Sequence, residues 1–257
     1  KNRPPVCPAP LPAPVGSGGV ILINGKMNLF DTARKTIEEH QMVTAGMHVV
    51  IGVSGGADSL CLLEVLREYR KLVEFQITVV HVEHGIRGEE SLADAEYVKA
   101  LCDQWKIPCR IVSVDAEGYA AERGMSLEEG ARELRYQAFE EIRNELGADR
   151  IAVAHNRNDQ AETVLWNLVR GTGLRGLGGI LPVRGRIIRP LLNVSREEIE
   201  GWMKDRSIDW RMDRTNREVE YSRNRIRLEL LPVMEQSLNT RAAEHIAGAA
   251  QQLQEVE

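Results

Sequence analysis

Four short apolar runs set the frame for this chain. His48–Val53, Gln76–Val82, Cys109–Val114 and Ile151–Ala154 are each rich enough in Val, Ile and Ala to form a buried strand. Stretches with helical spacing separate them: Asn28–Gln41 (Leu29, Ala33 and Ile37 on one face), Ser59–Leu72, Ser91–Trp105, Ser126–Leu146 and Asp159–Arg170. Repeated strand–helix–strand units of this kind predict an α/β, doubly wound, mostly parallel sheet with helices on both faces. Aromatic residues make up only 5% of the chain, so the core must rest on Val, Ile, Leu and Ala, as buried parallel strands do. In such a sheet, binding residues gather in the loops at the carboxyl ends of the strands.

The 257 residues suffice for one such domain and an appendage. Residues 1–27 are Pro- and Gly-rich without periodicity. They read as a disordered arm or an added upstream sequence, with Val20–Ile23 able to pair as an edge strand and Met27 a candidate start. Residues 28–190 carry the alternating pattern. Residues 191–257 are mostly helical: Ser195–Arg206, Tyr221–Leu231 closed by Pro232, and Asn239–Gln254. A glycine-rich link (GTGLRGLGG) and a short strand around Arg186–Arg189 join the two regions.

Composition excludes several classes. No apolar run approaches the ~20 residues of a bilayer span, so no membrane role is expected. Cys7, Cys61, Cys102 and Cys109 form no C-x-x-C pair, which fits reduced thiols in a cytoplasmic protein better than a zinc or iron–sulfur site. The net charge is −5, yet Arg170–Glu229 holds 14 Lys and Arg against nine Asp and Glu. That asymmetry suits an anionic partner, and equally a solvated face with local ion pairs.

The chemical residues cluster after the strands. In VVIGVSGGADSL, a strand runs into Ser54-Gly55-Gly56-Ala57-Asp58-Ser59 and then into a helix. Adjacent glycines let successive N–H groups face an anion, and the helix N-terminus adds its dipole. Ser54 and Ser59 can add hydroxyl donors, and Asp58 beside phosphate suits a Mg²⁺ ligand. The loop lacks the Lys of a Walker A motif. In HVEHGIRGEES, His84 and Arg87 follow the second strand; Arg87 can fork to phosphate, whereas His84 alone also fits a structural turn. In EEGARELRYQAF, Glu129, Arg132 and Arg135 share one helix edge, as a site or as a helix-stabilising ion-pair set. In AVAHNRNDQAET, His155 follows the fourth strand, with Asp159 and Glu162 beyond it; two acids there suit a metal or an ammonium group, and acids also favour helix starts. Arg223, Arg225 and Arg227 surround Asn224 near a helix start, suited to RNA or nucleotide phosphate or to a solvated basic helix.

SGGADS resembles the loop of the PP-loop (N-type) ATP pyrophosphatases, which cleave ATP between the α and β phosphates. The motifs in order, SGGADS, HGIR, EGARELRY, AHNRNDQAET, RGTGLRGL, RPLL and RNRIR, resemble one branch, the tRNA(Ile)-lysidine synthases, over about residues 28–235. Asn156 and Asn158 depart from the His and Asp frequent there. Many members also carry further C-terminal domains that grip tRNA. The resemblance implies that 28–190 is the ATP-binding catalytic domain and that 191–257 ends the core and faces tRNA. It implies ATP and Mg²⁺ as co-substrate and cofactor, with free L-lysine and a tRNA(Ile) bearing a CAU anticodon as partners; a homodimer is compatible with it. Ser54, Gly55, Gly56, Ala57 and Ser59, with His84 and Arg87, would hold ATP, Asp58 acting through Mg²⁺. Arg135, His155, Asp159 and Glu162 would line the reaction centre, the two acids meeting the lysine ammonium, and Arg223, Arg225 and Arg227 would meet phosphate. A tRNA thiolase of the same superfamily and a non-catalytic RNA- or nucleotide-binding module are the alternatives.

Overall fold

The structure is a computed structural model that describes residues 22–23, 26–85, 89–211 and 222–256. A short antiparallel pair, β1 (Leu22–Ile23) and β2 (Lys26–Met27), precedes α1 (Leu29–Glu39). The alternation then begins: β3 (His48–Gly52), α2 (Ala57–Tyr69), β4 (Gln76–Glu83), α3 (Glu89–Trp105) and β5 (Cys109–Ser113). Next come α4 (Ala116–Arg123), α5 (Leu127–Glu145), β6 (Arg150–Ala152), α6 (Arg157–Val169) and α7 (Leu174–Leu177). A hairpin of β7 (Val183–Arg184) and β8 (Ile187–Ile188) leads to α8 (Arg196–Asp205).

Strand order in the main sheet is β5-β4-β3-β6-β8-β7. All neighbours are parallel except β7 and β8. The chain thus builds outward from β3 to β4 and β5, then returns to place β6 on the other side of β3. The loops after β3 and β6 therefore part company at a switch point, where such sheets open a crevice.

Both faces are covered. On one, Ile37 of α1, Leu62 and Leu66 of α2, Val98 of α3 and Ile199 and Met203 of α8 bury Val49, Ile51 and Val79. On the other, Phe139 of α5 packs with Val50, Val80 and Ile151. Leu191 and Val194 belong to the first core as well, so the core runs past residue 190. Beyond 211, α9 (Ser222–Arg225), a π-helical turn (Ile226–Leu230), α10 (Leu231–Ser237) and α11 (Ala242–Val256) complete the described chain. Ile226, Leu231 and Ala243 close a small third cluster on Ala161 and Leu165 of α6.

Three local features differ from the sequence reading. Helix α4 was not foreseen, because only Ala116 and Ala120 of its eight residues are buried; an Asp115 cap on the Gly118 N–H, at 2.8 Å, starts it instead of an apolar stripe. Pro232 does not close a helix. It sits in the first turn of α10, where its missing N–H costs nothing, and helical backbone continues to Ser237. The two-residue strand β7 is too short to leave a period-2 signal. Among the described residues, no helix is long and apolar enough to cross a membrane.

Candidate active site

The loop after β3 is held open from within. Gly55 has φ +91°, a left-handed conformation that glycine adopts without strain. Its carbonyl accepts a 2.9 Å bond from the Arg211 N–H, tying the segment after α8 across the loop. The Ser59 hydroxyl is buried, accepts from the Ser54 N–H at 3.1 Å and donates to the Gly56 carbonyl at 2.9 Å. The Ser54 hydroxyl lies 3.2 Å from it. Gly56 is the N-cap of α2 and supplies no side-chain cap, so no side chain of the cap residue competes for the first-turn N–H groups, which suits an anion. Behind the loop, the buried His81 ring donates from Nδ1 to the Val53 carbonyl at 2.8 Å, and burial pushes its imidazole below the ordinary range. This brace fixes the strand end one residue before Ser54.

Asp58 stands where the two halves of the sheet meet. Its carboxylate accepts from the Asn156 amide at 3.1 Å and faces the Arg196 guanidinium at 3.5 Å. Burial raises the Asp58 carboxyl above the ordinary range, Arg196 pulls against that, and Asp159 adds to it. Asn156 is the N-cap of α6, and its cap makes a reciprocal box. Its side chain accepts from the Asp159 N–H at 3.1 Å while the Asp159 carboxylate accepts from the Asn156 N–H at 2.9 Å. One side chain thus caps α6 and reaches Asp58. Asn158, the other departure from the familiar pattern, accepts from the Arg196 N–H at 3.1 Å and joins the starts of α6 and α8. Among the described residues, no three His, Cys, Asp or Glu converge as a metal cage. Asp58 still fits one divalent cation, because a partly exposed carboxylate crowded by a second acid gains from added positive charge. Mg²⁺ commonly takes one or two carboxylates and draws its other oxygens from substrate and water.

His155 sits at the mouth of β6. Its Nδ1 lies 3.2 Å from Nε of Arg189, the first residue after β8. Arg189 is 5% exposed, donates to the Leu181 carbonyl at 2.7 Å and is hydrogen-bonded to Tyr136. Burial lowers its affinity for the proton and Tyr136 restores part of it. The Arg132 guanidinium lies over the Tyr136 ring, 5.1 Å from its centroid.

Glu162 is 2% exposed on α6 and pairs with Nε of Arg227 at 3.6 Å. The π-helical turn points Arg227 inward while Arg225, exposed, pairs with Glu229 at 3.4 Å. Glu129 is spent on the capping box of α5 with Ser126, and the Ser126 bonds hold its carboxyl below the ordinary range. Arg135 lies exposed on the same helix, and His84 half-buried in the loop after β4. Arg87 and the Arg223 side chain lie outside the described residues. The loop, Asp58 and Asp159 thus come together at the switch point through Asn156, and His155 directly precedes that cap residue. Sequence reasoning gave no role to His81, Arg189 and Arg196 and marked Asn156 only as a departure from the family pattern; the HVEHGIRGEES, RPLL and AHNRND motifs held three of the four, but only the fold shows what each touches.

Residues 29–234 match the family described as the PP-loop domain. The chain is 43% identical over 225 residues to a tRNA(Ile)-lysidine synthase of Caldanaerobacter subterraneus subsp. tengcongensis, covering 88% of this chain and 48% of that protein. It is 45% identical over 219 residues to a tRNA(Ile)-lysidine synthase of Clostridioides difficile, covering 85% and 47%. The chain therefore spans about half the length of these relatives. Among solved structures, the U34-tRNA thiolase NcsA from Methanococcus maripaludis with its [4Fe-4S] cluster superposes with a TM-score of 0.72 at 21% identity, over 88% of this chain and 79% of that one. With the family matching most of the chain, a parallel sheet of the expected kind and the glycine loop at its switch point, this chain belongs to the PP-loop family.

Proposed function

We propose that this chain is the ATP-consuming catalytic part of a tRNA(Ile)-lysidine synthase. The C2 oxygen of the wobble cytidine in a CAU anticodon attacks the α-phosphate of ATP, and pyrophosphate leaves. The ε-amine of free lysine, having lost a proton, then attacks C2, and AMP leaves. The observation that carries this reading is the meeting of Asp58 with Asn156 and Asp159 across the switch point. It sets the glycine loop beside two acids, a pairing that supports holding a polyphosphate and a cationic amine in one place. The names of the relatives then select the substrate.

In this reading, Ser54, Gly55, Gly56, Ala57 and Ser59 hold the departing pyrophosphate through N–H and hydroxyl groups, with His84 and Arg87 beside them. Mg²⁺ held by Asp58 would disperse charge on the phosphates. Asp159 and Glu162 draw the lysine ammonium into the crevice and provide a proton acceptor; Arg135 and His155 line the reaction centre. Arg223, Arg225 and Arg227 face phosphate, Arg227 doing so from its position against Glu162. Sulfur transfer is the rival chemistry, and two of the three thiols among the described residues weigh against it. Cys61 and Cys102 are fully buried in the first core, where burial raises the Cys61 thiol and suppresses its thiolate. The deciding experiment supplies ATP, tRNA(Ile) transcript and lysine singly and together. Pyrophosphate release that needs the tRNA, with lysine-dependent AMP formation, supports the reading. Binding of tRNA without ATP consumption would point to a non-catalytic module.

A further inference from the structure

We infer that Arg189 is a positioning residue that fixes His155 as the neutral tautomer with its proton on Nε2. Only one partner in this contact can accept. Nε of an arginine carries a hydrogen and never accepts, and the guanidinium stays protonated in proteins. Its 3.2 Å contact with His155 Nδ1 therefore requires a lone pair on Nδ1. The ring proton then resides on Nε2. A doubly protonated ring would set two N–H groups against each other, and the opposite tautomer would do the same.

Arg189 is placed to impose this choice. Its side chain is 5% exposed and is held by the Leu181 carbonyl at 2.7 Å and by Tyr136. Its backbone N–H donates to the Pro182 carbonyl at 3.0 Å. The residues between Leu181 and Arg189 form the β7–β8 hairpin, so this hairpin sets the guanidinium against a ring at the end of β6. The sheet itself carries the constraint.

The consequence rests on the reading of the site given above. His155 meets its substrate as an N–H donor at Nε2, suited to an oxygen that gains negative charge. Removal of the lysine proton then falls to the carboxylates of α6.

The test is spectroscopic and independent of turnover. Protein labelled with ¹⁵N-histidine is observed through long-range ¹H–¹⁵N couplings at neutral pH, and His155→Gln identifies the signals by their loss. The expected result is a protonated Nε2 and an unprotonated Nδ1 in the wild type. Arg189→Met should replace this pattern with averaged signals from exchanging tautomers, while Arg189→Lys should restore it in part. A wild-type ring protonated on Nδ1, or on both nitrogens, overturns the inference even if the Met variant fails to fold; so does an unchanged pattern in Arg189→Met. Loss of the adenylation reading would show elsewhere, as wild-type protein that never releases pyrophosphate.

Discussion

The amide of Asn156 donates to the carboxylate of Asp58 at 3.1 Å across 98 residues of sequence. The same side chain caps α6, so helix stability and site geometry depend on one group. Asn156→Ala should cost about 1 kcal/mol, the usual worth of an N-cap, and should also lower ATP/pyrophosphate exchange. Asn156→Asp keeps the cap but crowds a third carboxylate against Asp58 and Asp159. It should melt near the wild-type temperature while losing activity. Thermal melts beside exchange assays separate the two effects.

The folded-state pKa of Asp58 is raised, chiefly by burial, so the folded protein holds that proton more tightly than the unfolded chain. The carboxylate is then a destabilising element at neutral pH, and the penalty fades as pH falls toward the ordinary carboxylate range and is gone below it. Asp58→Asn should abolish exchange by on the order of 10²-fold or more while raising the melting point at pH 7. Each kcal/mol relieved corresponds to about 2–4 °C in a chain of this size. The difference should shrink toward pH 4, and melts across that range check the sign.

Glu162 and Arg227 form a largely buried pair at 3.6 Å. Removing either partner strands the other, at a cost of about 3–5 kcal/mol for a buried ion pair. Glu162→Gln and Arg227→Met should each destabilise strongly, and the double variant by less than their sum. A denaturant-based double-mutant cycle gives the coupling. In Glu162→Gln the lysine concentration for half-maximal AMP formation should rise; an unchanged value would remove Glu162 from the lysine site.

Gly52 ends β3 against the Phe139 ring, where an added Cβ would overlap the ring atoms. Gly52→Ala should cost about 1–3 kcal/mol through overpacking. Phe139→Leu placed on top of it should recover part of the loss, measured by urea unfolding, because the clash is with a side chain and not with backbone.

Cys61 tests the rival chemistry. In the native protein it should resist iodoacetamide, and Cys61→Ala should retain pyrophosphate release at wild-type rates. Loss of activity in that variant, with the fold intact by circular dichroism, would favour a sulfur-transfer role.

Much of the frame was legible because it rests on local periodicity. The runs at His48, Gln76 and Cys109 became strands within a residue or two, and the helix expected from Ser126 starts there, at a capping box with Glu129. The loop was legible because its glycines are dictated by backbone geometry at one point in the chain. The partners of the loop were not. Arg196 reaches Asp58 across 138 residues, and Arg189 reaches His155 from a hairpin whose strands are two residues each. Such contacts are set by sheet order, which no window of sequence carries. Glu129 shows the reverse: its spacing from Arg132 and Arg135 allowed a functional edge, and the helix start claimed its carboxylate.

Strand β3 is the first of the main sheet to be made and lies between β4 and β6 in the finished one. During synthesis, the glycine loop is complete once residue 59 has been added. The groups that shape it arrive far later: Asn156, Arg196 and the backbone of Arg211. A chain emerging from the ribosome therefore carries the loop for some 150 residues before its geometry is set. Chains that pass residue 59 but stop before residue 156 hold every residue of the loop and none of these three partners.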